Sequence, residues 1–369
     1  MAASGVISFA RFMELALDCP VYGFYEQERD TIGRRGDYYT SVSVGSLFGE
    51  LLAFQIAEWL VERGTRNAER RNGQGTGGAM QIVEAGAHDG RLARDILSWL
   101  RLRRPALFEQ IEYAILEPSE RRQKWQKEML SGFVPHVRWF DSLQAASTSD
   151  FALRTSQFAG VLFSNELLDA LPVHRLGWDA KERRWFEWGV GFADGRFVWT
   201  RMSEPIHDSR FTFHVPRKLL NVLPDGCTME ICSAAATWWR EAAGLLRQGK
   251  LLTLDYGLMA EDFFVPHRAQ GTLRAYHRHR PSSDVLANVG EQDITAHVNF
   301  TAIQSVGETA GLETEAFVSQ AQFLTGIAQR AWQEGRGFSP PTPGQTRQLQ
   351  TLIHPEHLGR AFRVLVQSR

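Results

Sequence analysis

Residues 82–97 read IVEAGAHDGRLARDIL. Ile82 and Val83 are β-formers, Glu84 puts a charge at the end of the run, and Gly86 and Gly90 bracket a short turn. Leu92, Ala93, Ile96 and Leu97 then recur at helical spacing. Strand, glycine turn and helix in that order aim backbone N–H groups and a helix N-terminus at a ligand. Glycine matters because a ligand can close on the backbone only where no Cβ intrudes. An acid at the strand end suits hydroxyls or a cationic group better than a phosphate. Many such turns bind nothing, so the neighbouring chain has to decide.

The alternation continues downstream. Strand patterns at 111–117 (IEYAILE), 136–140, 160–164 (GVLFS) and 250–256 (KLLTLDY) are interleaved with helical patterns at 89–103, 119–130 and 233–247. This predicts an α/β fold: a doubly wound, mostly parallel, Rossmann-like sheet with ligand beyond its C-terminal strand ends. Upstream, 7–18 predicts a helix capped by Ser8, and 43–62 a second helix. The glycine-punctuated, aromatic stretch 22–41 between them reads equally as a lid over a ligand or as a surface loop pinned by its tyrosines. Residues 63–78 form a polar, glycine-rich break.

Residues 174–202 alternate aromatic and polar side chains around the turns DAKE and ADG. That predicts an inserted β-meander whose tryptophans pack against the sheet. After residue 257 the pattern gives a basic loop at 274–280, helices at 300–311 and 319–334, a proline-rich turn at 338–344 and a helical end at 345–366. The expected segments are an N-terminal helical and lid region (1–62), a core (78–260) with its insertion at about 173–225, and a mostly helical C-terminal part (261–369) packed on the core.

Composition narrows the function. With 369 residues, 43% of them hydrophobic, the chain can bury a large core or two. A net charge of −1 and a pI of about 6.8 argue against a globally basic partner surface, so neither nucleic acid nor an anionic membrane is expected. No run approaches the roughly 20 apolar residues that span a bilayer. The N-terminal residues show no secretory pattern. Cys19, Cys227 and Cys232 show no zinc or CxxC spacing and read as reduced, buried thiols of a cytoplasmic protein without a metal.

The residues just after each strand carry the chemistry: Glu84, Glu117, Asp141, Asn165-Glu166 and Asp255-Tyr256. Any single acid there can be a solubilising surface group. Together they repel a phosphate-rich cofactor and suit ribose hydroxyls, an adenine amine and a positive charge. S-adenosylmethionine combines those features without a phosphate. Glu117 could accept the ribose hydroxyls, as the acid after the second strand does in dinucleotide folds, and Asp141 the adenine amine.

GDYYTSVSVGSLFGE (36–50), VEAGAHDGRL (83–92), FDSL (140–143), SNELLDALPVHRL (164–176), LDYG (254–257), GTLRAYHRHR (271–280) and HPEHLGRAFRVL (354–365) occur in this order. Together they resemble the MidA-type family of S-adenosylmethionine-dependent methyltransferases, which includes a mitochondrial complex I assembly factor acting as a protein arginine methyltransferase. The resemblance implies a cofactor loop of Glu84, Gly86 and Gly90, a ribose acid at Glu117, and an adenine end at Asp141 and Ser142. Asn165 and Glu166 would face methyl transfer, and Gly36 to Ser41, with Tyr39 and Thr40, would form the lid. Ala87 and His88 stand where the family has proline and glycine, so His88 either borders the methionine moiety or points away. Val42 and Ser43 replace the Pro-Glu of the family's lid.

A guanidinium acceptor is held by carboxylates in bidentate fashion; Glu166 and Asp169 are the candidates. Tyr256 could stack, donate a hydrogen bond or simply pack. His174 reads as a satisfied histidine, and His277 and His279 lack a third ligand at metal spacing. The expected function is methylation of a protein side chain, arginine favoured, by a chain that is a candidate homodimer. Two alternatives stay open: a non-catalytic assembly factor, sustained by the His88 departure, and a nicotinamide-dependent oxidoreductase. The missing middle glycine and the acidic rim oppose the latter.

Overall fold

The structure, a computed structural model, describes residues 5–27, 40–70, 80–149, 158–203, 215, 219–277, 280–333 and 338–369. The chain divides into two compact units, and each expected linear segment is shared between them. The first unit comprises Met1–Tyr39, Leu168–Trp239 and Tyr256–Val306, and the second Thr40–Leu167, Arg240–Asp255 and Gly307–Arg369.

In the second unit the apolar runs lie side by side. The strands are β1 (Met80–Ala85), β2 (Ile111–Leu116), β3 (Val137–Phe140), β4 (Phe158–Asn165), β5 (Leu246–Leu258), β6 (Glu313–Ser319) and β7 (Phe362–Ser368). Their order across the sheet is 3-2-1-4-5-7-6. The pairs β1–β2, β2–β3, β1–β4 and β4–β5 are parallel, and β6–β7 is antiparallel. Every residue of β4 is buried, which explains its uninterrupted apolar run. The expected mostly parallel α/β sheet is therefore present.

The chain's end departs from expectation. Residues 345–366 are not one helix: helix Pro343–Ile353 stops, and Phe362–Ser368 enters the sheet beside β5. Gly249 and Arg369 exchange both backbone hydrogen bonds, 2.9 and 3.2 Å. Phe362, Val364, Leu365 and Val366 are all buried, so a strand covered on both faces imitated the apolar density of a helix.

Helices α1 (Leu47–Arg70), α2 (Arg91–Arg103) and α3 (Glu120–Met129) flank these strands. Residues 51–57 of α1 are all buried, so the helix is covered on every side there, and Leu47, Phe48, Leu51, Phe54 and Leu60 each contribute about 1.5–3 kcal/mol. Phe54 meets Trp99 of α2 edge-on with centroids 6.1 Å apart, and Phe338 lies 5.7 Å from Trp99. α1 runs two turns past its expected end, since 63–70 lacks proline and one glycine costs only about 1 kcal/mol.

The first unit holds the expected meander. His174–Asp179, Arg184–Ala193 and Arg196–Arg201 pair antiparallel and are joined by Ile7–Ser8 and Thr228–Ile231. Asp194 (φ 50°) and Gly195 (φ 77°) form the tight hairpin turn. The meander's Trp199 packs on Phe9 of helix Phe9–Asp18, 4.9 Å between centroids. Ser8 caps that helix, accepting from Arg11 N at 3.2 Å. The basic stretch is also no simple loop: Arg274–His277 pairs with both Arg280–Ser282 and Asp293–Thr295. Arg278 and His279 lie outside the described residues. Of the three free thiols only Cys227 is buried; Cys19 and Cys232 are half-buried. Among the described residues, no helix is long and apolar enough to cross a membrane.

Candidate cofactor and methyl-transfer site

The strand order reverses between β1 and β4, and in such sheets ligands bind beyond the carboxyl ends at that point. Ala85 pairs with Ser164 in register, so the turn after β1 and the turn after β4 emerge side by side. Gly86, His88 and Gly90 all have left-handed backbone, with φ of 74°, 47° and 83°. A Cβ on Gly86 would come within 3.0 Å of the Leu167 side chain. His88 keeps the conformation that a glycine would take freely, at a cost of about 1 kcal/mol. Its ring meets Trp125 edge-on, 6.4 Å between centroids, and the side chain is mostly buried.

Glu84 is buried, and its Oε2 accepts the Tyr113 hydroxyl at 2.7 Å. Burial pushes this carboxyl up to about 8, with repulsion from Asp89 adding to the rise and the Tyr113 bond opposing it. Glu117, also buried, accepts from Ser119 N at 3.0 Å and from Gln126 Nε2 at 3.0 Å. Gln123 of the same helix donates to Asp141 Oδ1 and to the Glu117 carbonyl, each at 2.9 Å. Ser142 caps the following short helix, accepting from Ala145 N at 3.1 Å.

After β4 the backbone turns sharply. Glu166 has φ 53°, unusual for a side chain of its size, and two bonds hold it there. Its N–H donates to the Leu254 carbonyl at 2.9 Å, and the next N–H, of Leu167, donates to the buried Asp255 carboxylate at 3.2 Å. Glu166 Oε1 accepts from Asn165 Nδ2 and from Ser41 N, both at 3.1 Å. Asn165 is 9% exposed, and its buried Oδ1 has no partner among the described residues. The neighbouring carboxylate fixes the amide's orientation, because only the NH₂ end can donate to it.

Thr40 and Ser41 are drawn into the same group. Thr40 caps the helical turn Ser41–Val44 in a reciprocal capping box with Ser43. Fully buried Ser41 donates its hydroxyl to Gln320 at 2.9 Å. The second unit thus gathers Glu84, Gly86, His88, Gly90, Glu117, Asp141, Ser142, Asn165, Glu166, Thr40 and Ser41 about one end of its sheet. Asp169 and Tyr256 fall in the first unit, where Asp169 is buried and its carbonyl accepts from Ala296 N at 2.9 Å. The expected lid residues Gly36 and Tyr39 lie outside the described residues.

Tyr113, Gln123 and Gln126 escaped sequence reasoning. Their signal is faint: a lone hydroxyl in the apolar run IEYAIL, and two uncharged glutamines at i and i+3 in an otherwise mostly charged helix.

S-adenosylmethionine fits this donor set. The acceptors are oriented by neutral hydrogen-bond donors, the turn is built of left-handed positions that bring backbone close, and one buried acceptor has no partner among the described residues. A Rossmann-like sheet with this acidic rim suits a cofactor of ribose hydroxyls, an amine and a positive charge. The comparisons agree. Residues 55–318 match the profile of an S-adenosyl-L-methionine-dependent methyltransferase family, and the chain belongs to that family.

A crystal structure from Burkholderia thailandensis, bound to S-adenosyl-homocysteine, is 30% identical. It aligns over 100% of this chain and 89% of its own with a TM-score of 0.80. A native structure from the same organism gives 29% and 0.75, over 100% and 88% of the two chains. The mitochondrial protein arginine methyltransferase NDUFAF7 of Danio rerio is 25% identical over 98% of this chain and 83% of its own. Its Drosophila melanogaster homologue is 28% identical over 84% and 68%.

His88→Gly should keep the fold and hold S-adenosylhomocysteine affinity within about threefold of wild type or tighten it, because it removes strain without removing an acceptor. Calorimetric titration reads this directly. A loss beyond about tenfold would mean that the imidazole itself contacts the ligand.

Proposed function

We propose that the chain methylates arginine side chains of a protein substrate. The observation that carries this reading is the pair Asn165–Glu166. It offers a carboxylate beside a buried amide oxygen that has no partner among the described residues, on a backbone turn held in a strained conformation. Two adjacent acceptors, one of them charged, match the forked N–H donors of a guanidinium. Strained backbone held by several bonds is characteristic of working sites. The relatives named as protein arginine methyltransferases support the same acceptor.

S-adenosylmethionine supplies an electrophilic methyl group on a sulfonium. The protein's part is positioning: in-line displacement needs the acceptor nitrogen and the methyl carbon held in contact and in line. Glu166 and Asn165 would hold the guanidinium, with Ser41 N fixing the Glu166 carboxylate. Glu117 would take the ribose hydroxyls, Asp141 the adenine amine, and Glu84 with the 86–90 turn the methionine end.

The test is incubation of the protein with methyl-labelled cofactor and cell extract, followed by peptide mass spectrometry. Label on arginine is expected. Label confined to lysine, a carboxylate or a small molecule would overturn the arginine reading.

A further inference from the structure

Gln126 is completely buried, yet it lies on α3 rather than on any strand-end turn of the candidate site. Its Nε2 donates to the His88 carbonyl at 2.9 Å and to Glu117 Oε2 at 3.0 Å. Its Oε1 accepts from Trp139 Nε1 at 3.1 Å. An indole N–H can only donate and a carbonyl can only accept, so the amide has a single orientation. Glu117's other oxygen is held by Ser119 N, leaving its rotamer little freedom. The same helix backs the loop: a Cβ on Gly90 would stand 3.3 Å from the Gln126 Cα. One side chain therefore links the left-handed His88, the acid after β2, and the indole of β3.

We infer that Gln126 is a positioning residue that aims the Glu117 carboxylate at the cofactor's ribose and pins the loop at His88. The inference rests on the methyltransferase reading above. A helix residue filling space would need no donor pair; this one spends both amide hydrogens on the two elements that border the cofactor. Charge-assisted bonds are directional, so a carboxylate free to rotate loses much of its preference for a diol.

The test compares binding of S-adenosylhomocysteine with that of its 2′-deoxyribose analogue by calorimetry. Wild type is expected to favour the ribose form by about tenfold, the scale of one charge-assisted hydrogen bond. In Gln126→Met, which keeps the length and removes the amide, that ratio should fall towards one. Adding Glu117→Ala to Gln126→Met should lower it no further. Trp139→Phe leaves Gln126 in place and frees its amide to rotate, and should lower the ratio part of the way; this gentler change keeps the test valid if Gln126→Met does not fold.

A purely space-filling Gln126 would weaken both ligands equally and leave the ratio unchanged in the folded variants. That result would overturn the inference. If wild type itself does not distinguish the two ligands, the ribose role of Glu117 fails, and the inference with it. If wild type binds neither, it is the cofactor reading that fails.

Discussion

Glu166→Gln should slow methyl transfer by about 10²-fold or more while leaving S-adenosylhomocysteine affinity within about threefold of wild type. The amide keeps the size of the carboxylate, and its oxygen can still accept from Asn165 Nδ2 and Ser41 N, now 3.1 Å from Glu166 Oε1. The charge that aligns a cationic acceptor is lost. Glu166→Gly provides the control that the left-handed backbone makes available. At φ 53° glycine removes strain but also strips the acceptor from Asn165 Nδ2 and from buried Ser41 N. This variant should therefore be equally slow and no more stable than wild type. Retained S-adenosylhomocysteine affinity in both variants would separate a loss of rate from misfolding. Labelling by Glu166→Gln equal to wild type would take Glu166 out of the acceptor clamp.

The strand ends of β1, β2 and β4 were legible because period-two or fully buried apolar runs leave little choice, and because the last residues of each strand and the residue just after it are where chemistry collects. Glu84, Glu117 and Asn165-Glu166 follow from that rule alone. What could not be read is what reaches those residues from far along the chain. Tyr113 meets Glu84 across 29 positions and Gln126 meets His88 across 38. Neither separation leaves a periodic trace. The final strand was misread for a different reason: FRVLVQS is inserted between β5 and β6 and buried on both faces, which erases the alternation that marks a strand. The left-handed geometry at His88 was legible only through the resemblance, which sets it where the family has glycine; a histidine by itself does not announce that conformation.

Cofactor affinity should rise with pH and level off near pH 8, and Glu84→Gln should abolish the dependence. Glu84 carries its proton well above the ordinary range, to about 8, because burial disfavours its charge. The native state therefore binds a proton that the unfolded chain releases near its ordinary value of 4.5. Stability attributable to this group falls as pH rises from about 4.5 to about 8 and is constant above. A cationic ammonium beside Glu84 needs the ionised form, so binding below pH 8 must expel that proton. Affinity should then climb by up to tenfold per pH unit, a gain of tens of fold between pH 6 and 8 at roughly 1.4 kcal/mol per unit. Tyr113 cannot be the source, since burial and Glu84 hold its hydroxyl far above this range. Nor can Asp89: burial raises it, but His88 and Arg91 outweigh that and leave it below its usual value. Titration at pH 6.5 in two buffers of different ionisation enthalpy counts the proton: close to one released for wild type, close to none for Glu84→Gln. Equal counts would show that Glu84 stays protonated in the complex and that the ammonium is held elsewhere.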